Sequence, residues 1–144
     1  MNERAALEPH VKSFLSQPVR YATIATINPD GSPHQIVIWF LLRNDAQRGD
    51  HLVVNSRRGR RWPANLTRDG RANLAVYDAE NAVTIECRVA SIYEGEPAQA
   101  DIAEMARRYD SEEMAQREMT RFRTEERVSF ILQPTRVLVH GEPS

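Results

Sequence analysis

A mainly β (α+β) fold, a barrel of six or seven mostly antiparallel strands decorated by short helices, is what the sequence predicts. Three observations carry it. Segments of β-branched, alternating residues recur along the chain, tight-turn signals such as Asn28-Pro29-Asp30-Gly31 separate them, and helical patterns are few and short. The 144 residues, 41% hydrophobic and 27% charged, show no repeat, linker or low-complexity tract, so 1–144 reads as one domain.

Residues 7–15 read as an N-terminal helix: Pro9 is tolerated in a first turn, and Val11, Phe14 and Leu15 form an apolar stripe that would plug or cover a sheet. Arg20 to Ile27 alternates and leads into the turn, where Pro presets φ and Gly supplies a positive φ. Gln35 to Leu42 is apolar on both faces, as expected of one strand covered by the core on one side and by a helix or second subunit on the other. His51 to Asn55 is the third strand. Arg60 to Asp69 reads as a short helix with Pro63 in its first turn. Ala72 to Tyr77 and Val83 to Tyr93 are strands, the second with Val83, Ile85, Cys87 and Val89 on one face. A helical insertion over 98–125 follows, as two helices or one broken helix, with Ser111 a candidate N-cap. Val128–Leu132 and Arg136–Val139 are expected as two final strands separated by Pro134.

One cysteine, Cys87, cannot form an internal disulfide, and four dispersed histidines argue against a metal site. Without a signal peptide or an apolar run of about 18 residues, the expected location is cytoplasmic, with no membrane partner. The net charge of −1 conceals a pattern: six arginines against one aspartate between Arg57 and Arg71, then ten acids against five arginines between Glu94 and Glu126. The acidic stretch is expected to face solvent. Arginine makes up 18 of the 19 basic residues, and although base composition can raise Arg over Lys everywhere, it does not cluster them. With no recognition helix or aromatic strand platform beside the cluster, nucleic acid is not an expected partner.

The chemistry concentrates at Asn55-Ser56-Arg57-Arg58-Gly59-Arg60-Arg61-Trp62-Pro63-Ala64-Asn65, where a strand ends and a helix begins. Amide, hydroxyl, glycine and guanidinium groups there are the parts of a phosphate cradle; the alternative is a solvated basic turn. Trp39 and Trp62 are candidates to wall or stack on a flat ligand, or else belong to the core. His34 is a candidate proton donor or a surface histidine. Cys87 reads as a buried small hydrophobe. Serine-hydrolase, P-loop and Rossmann motifs are absent, so any catalysis would be carried by a cofactor.

The series Ala22 to His34, Ile36 to Phe40, Val53 to Asp78 and the strand with Thr84-Ile85-Glu86-Cys87-Arg88 resembles the split β-barrel proteins of the pyridoxamine 5'-phosphate oxidase-like superfamily, in particular the branch that uses the deazaflavin F420. The resemblance spans about residues 15 to 140. It implies a split barrel, a homodimer with two cofactor sites at its interface, and a small-molecule substrate. Asn55 and Ser56 would line the phosphate end, Arg60 would pair with the phosphate, and Asn65 would bond nearby. Ser56-Arg57-Arg58-Gly59 also resembles the Ser-Arg-Lys-Gly phosphate motif of the FMN branch. His34 to Trp39, with Ile36 and Val37 between, would border the ring system, largely through backbone groups. Deazaflavin-binding relatives often carry lysine at the position of Trp62 and arginine at that of Ala64, so Arg57, Arg58 and Arg61 would have to replace those cations. The implied activity is F420-dependent hydride transfer to a conjugated substrate, with an FMN-dependent oxidoreductase or a non-catalytic flavin- or haem-binding module as alternatives.

Overall fold

The computed structural model describes residues 4–144. Seven strands, all paired antiparallel, form one sheet: β1 (Ala22–Ile27), β2 (Pro33–Ile38), β3 (Leu41–Asp45), β4 (Gly49–Arg57), β5 (Arg71–Asp78), β6 (Asn81–Glu94) and β7 (Arg127–His140). Four helices accompany them, α1 (Pro9–Leu15), α2 (Arg61–Arg68), α3 (Glu96–Tyr109) and α4 (Glu112–Phe122). The strand order is β2-β1-β5-β6-β7-β4-β3. Its outermost members, β2 and β3, are neighbours in sequence, joined only by Trp39 and Phe40. A link this short spans about 11 Å at most, so the sheet curls until the end of β2 and the start of β3 come together, while the two edges do not pair and the barrel stays split.

The strand expected over Gln35–Leu42 is therefore two. Helix α3 satisfies the backbone at the break: the Phe40 N–H donates to the Tyr109 hydroxyl at 3.2 Å, and Arg108 donates to the Phe40 carbonyl at 2.5 Å and the Leu15 carbonyl at 2.6 Å. Conversely, the two strands expected around Pro134 are one. Pro134 lies opposite Cys87, where the register shifts and Thr135 is the extra residue, so its missing N–H costs no ladder bond. These two differences cancel in the strand count.

The barrel interior is built by alternation, with Ile24, Val54, Leu74, Ile85, Phe130 and Leu132 pointing inward, and α1 plugs it with Val11, Phe14 and Leu15. Trp62 and Leu66 of α2 join that core. Cys87 is buried as expected, and burial pushes its thiol up to about 12. A second apolar cluster joins α3 and α4 to Leu41 and Val53 on the outer surface of the sheet. Ser111 caps α4 by accepting the Met114 N–H at 3.2 Å, which starts the second helix where the sequence signal lay.

Candidate functional site

Strand β4 ends at Arg57, and Gly59, at φ +100, turns the chain into α2 in a conformation that a side chain would disfavour. The register sets Arg57 opposite Arg127 and Asn55 opposite Ser129, so these four side chains share the outer face on which α3 and α4 lie. A cleft of about 490 Å³ opens there, within the size range of small-molecule sites, about 300–1,000 Å³. Its lining includes four arginines, Arg57, Arg60, Arg121 and Arg127, together with Glu118 and Glu125, and an apolar and aromatic set that includes Val37, Ile38, Trp39 and Tyr21. Trp39 stacks on Tyr109 at 5.2 Å and 8°, so the aromatic wall is braced from behind by the helix that seals the seam.

Of the residues the sequence singled out, the cleft gathers Val37, Trp39, Asn55, Ser56, Arg57, Arg60 and Trp62. Trp62 is only 2% exposed and its ring lies 6.0 Å from that of Phe130, so it is a core residue whose edge forms the cleft floor. The other residues lie elsewhere. His34 is half-buried in β2 opposite Thr26, and Ile36 packs on the core because the strand's alternation turns it inward. Asn65 is spent internally, donating to Thr26 Oγ1 at 3.1 Å and Asn28 Oδ1 at 3.0 Å while accepting from Arg68 at 3.1 Å. Arg58 is held by Glu94 and Glu126 and, with Gly59, lines a neighbouring cleft of about 430 Å³ that also touches Arg60. Arg61 is exposed, and its charge acts on Asp30 in the β1–β2 turn. Of Arg57, Arg58 and Arg61, only Arg57 lines the main cleft.

The missing cations come from the stretch expected to face solvent and from the strand after it. Arg121 is on α4, and Arg127 opens β7. The Arg127 side chain is 9% exposed; it donates to Asn55 Oδ1 at 2.9 Å and Glu125 Oε1 at 2.8 Å, and lies 4.7 Å from the centre of the Phe122 ring. Burial lowers its proton affinity below the ordinary value, Glu125 opposes this, and the charges of Arg60 and Arg121 add to the lowering. Such crowding of like charge is relieved by a bound anion. Nor does α3 simply face water. Its Asp101 is buried, accepting from Arg43 at 2.8 Å, from Ser129 at 2.8 Å and from the Tyr93 hydroxyl. Burial and that carboxylate push the Tyr93 hydroxyl up to about 12. At the cleft's α4 wall, burial, a hydrogen bond shared with Asp110 and the Asp110 charge push the Glu118 carboxyl up to about 7, against the pull of Arg121.

Among the described residues no helix is long and apolar enough to cross a membrane. No curated protein matches the chain. Among solved structures, an F420 reductase superposes with TM-score 0.70 at 20% identity, over 92% of this chain and 98% of that one. A conserved hypothetical protein from Mycobacterium tuberculosis superposes with TM-score 0.73 at 19% identity, over 99% and 89%. The haem storage protein HutZ from Vibrio cholerae gives 0.65 at 20%, over 96% and 98%. At such identities the likeness is one of fold. The sequence itself matches the pyridoxamine 5'-phosphate oxidase family over residues 7–139, nearly its whole length, and on that match, with the split barrel beneath it, the chain belongs to this family.

Proposed function

We propose that the chain is an oxidoreductase whose cleft holds a deazaflavin of the F420 type, with FMN as the alternative occupant, and serves the reduction of a conjugated small molecule. The observation that supports this most is that four arginines and a set of aromatic and apolar side chains line one cleft. That donor set suits a ligand with an anionic tail and a flat ring. Arg57, Arg60, Arg121 and Arg127 would hold the tail, and Trp39, braced by Tyr109, would flank the ring. When bound, such a cofactor supplies the hydride chemistry; the chain's part is to orient it and exclude water.

The homodimer belongs to the same proposal. Val37, Thr23, Ala75, Thr84 and Leu138 form an uncharged row across five strands on the outer face, with Val37 63% exposed and Tyr77 nearby 69% exposed. A second copy seated there would bury this row beside the cleft's Val37 wall. Sedimentation velocity should give twice the 16.5 kDa chain mass; a monomer would remove the dimer. Fluorescence titration with oxidised F420 and with FMN is the main test. At least one should bind below roughly 100 μM, about −5.5 kcal/mol; failure of both defeats the reading, and binding without turnover would make the chain a holding module.

The Glu118 carboxyl makes that affinity depend on pH. Below about 7 it is protonated, so the cleft gains one unit of positive charge as pH falls, and an anionic ligand should bind more tightly at pH 6 than at pH 8. Asp110 and Arg121 face it, the first raising and the second lowering its proton affinity, and Glu118→Gln should flatten the profile. A variant that keeps the full slope would show that another group titrates.

A further inference from the structure

A chain of hydrogen bonds runs from Asp101 on α3, which does not itself line the cleft, to Arg127, which does. Asp101 on α3 is 4% exposed, and each of its carboxylate oxygens is in use: Oδ1 accepts from Arg43 at 2.8 Å, and Oδ2 accepts from Ser129 at 2.8 Å and from Tyr93. A carboxylate only accepts, and a serine hydroxyl has one hydrogen to give. Since Ser129 gives its hydrogen to Asp101, its oxygen is left to accept, which it does from Asn55 Nδ2 at 2.9 Å. The other Asn55 amide hydrogen goes to the Ala98 carbonyl at 3.0 Å, on the same helix as Asp101 and three residues before it. With both amide hydrogens turned toward α3, Asn55 Oδ1 faces Arg127 and accepts from its Nε at 2.9 Å. Glu125 takes Nη1 at 2.8 Å and Phe122 covers one face, which leaves the Nη2 edge for the cleft.

We infer that Asp101 is a positioning residue for the cleft: through Ser129 and Asn55 it sets the polarity of the hydrogen-bond chain and so which edge of the Arg127 guanidinium meets a ligand anion. The inference rests on the proposed anionic occupant. Neutralising Asp101 reverses the chain. In Asp101→Asn the amide must keep an acceptor toward Arg43, so its Nδ2 turns to Ser129 and Tyr93; the serine hydrogen, displaced from position 101, then meets the Asn55 N–H already directed at Ser129. Either Ser129 loses its bond or Asn55 turns and sets an N–H against Arg127 Nε. The second outcome breaks the bond to Arg127 Nε; the first removes one of the two bonds, to Ser129 and to Ala98, that hold the Asn55 amide, and so loosens the acceptor under Arg127.

The test compares wild type, Asp101→Asn and Ser129→Ala, the last covering the case in which Asp101→Asn does not fold. Nitrogen-15 NMR of the ligand-free protein should show a slowly exchanging Arg127 Nε–H signal, assigned with Arg127→Lys, that weakens or disappears in both variants. Affinity for FMN should fall at least fivefold while that for riboflavin, which has no phosphate, stays within twofold; for F420, the phosphate-free deazaflavin serves as the control. An unchanged Nε–H signal overturns the inference, as does an equal loss with and without the phosphate, which is what general loosening of the fold would give. Should wild type bind neither cofactor, the proposed function fails on that result, and the Nε–H signal still decides whether Asp101 governs Arg127.

Discussion

Replacing Trp62 with alanine is expected to cost about 3–5 kcal/mol of stability, the range for emptying a core aromatic site. The indole is 2% exposed, lies against Phe130 and helps fasten α2 to the barrel interior. Removing it leaves a void that Leu66 and Phe130 cannot both fill. Since a domain of this size holds about 5–15 kcal/mol in all, thermal unfolding should fall by roughly 10–15 °C, and Trp62→Phe should lose about half as much. Calorimetry or urea unfolding would read this directly. A variant as stable as wild type but unable to bind cofactor would show that Trp62 serves the ligand rather than the core.

Arg60→Ala is expected to weaken cofactor binding about 10- to 100-fold, the loss of one charge-assisted hydrogen bond worth about 1.5–3 kcal/mol. Arg60 is exposed at the head of α2 and lines the cleft, and no protein acceptor holds its guanidinium among the described residues. Arg58, two residues earlier, is the matched control. Glu94 and Glu126 hold it over the neighbouring cleft, and exposed pairs of this kind contribute about 0–1 kcal/mol. Arg58→Ala should change affinity by no more than about twofold. Because Arg60 borders both clefts, the pair discriminates between them: equal losses in the two variants would move the anion site to the Arg58 side.

Local signals carried much of the fold. Alternation in Ala22–Ile27, the Pro-Asp-Gly turn and the Ser111 cap each act over a few residues, and the structure has a strand, a hairpin and a helix start there. Gln35–Leu42 misled because its residues are apolar on both sides of the break, and only Arg108 and Tyr109, about seventy residues away, identify Phe40 as a gap between strands. Pro134 misled in the opposite sense, since the bulge that accommodates it is set by pairing with Cys87. The candidate site was legible where it is local, at Asn55 to Arg60. Arg121 and Arg127 were not, because their place in the cleft depends on α4 packing and on the pairing of β7 with β4. Asp101 was one acid among ten in a stretch whose composition reads as solvated.

The two-residue link at Trp39 and Phe40 constrains how this fold can vary in length. Because β2 and β3 are at once the two edges of the sheet and adjacent in sequence, a residue added between them would push one edge out of register by one position and turn its side chains over. It would also pull Trp39 off Tyr109 and deprive the Phe40 backbone of Arg108. The turns at Asn28–Ser32 and Asp45–Gly49 end in solvent and carry no such tie to both edges. Insertions and deletions should therefore accumulate in those turns, while the seam keeps its length and, with it, the aromatic wall of the cleft.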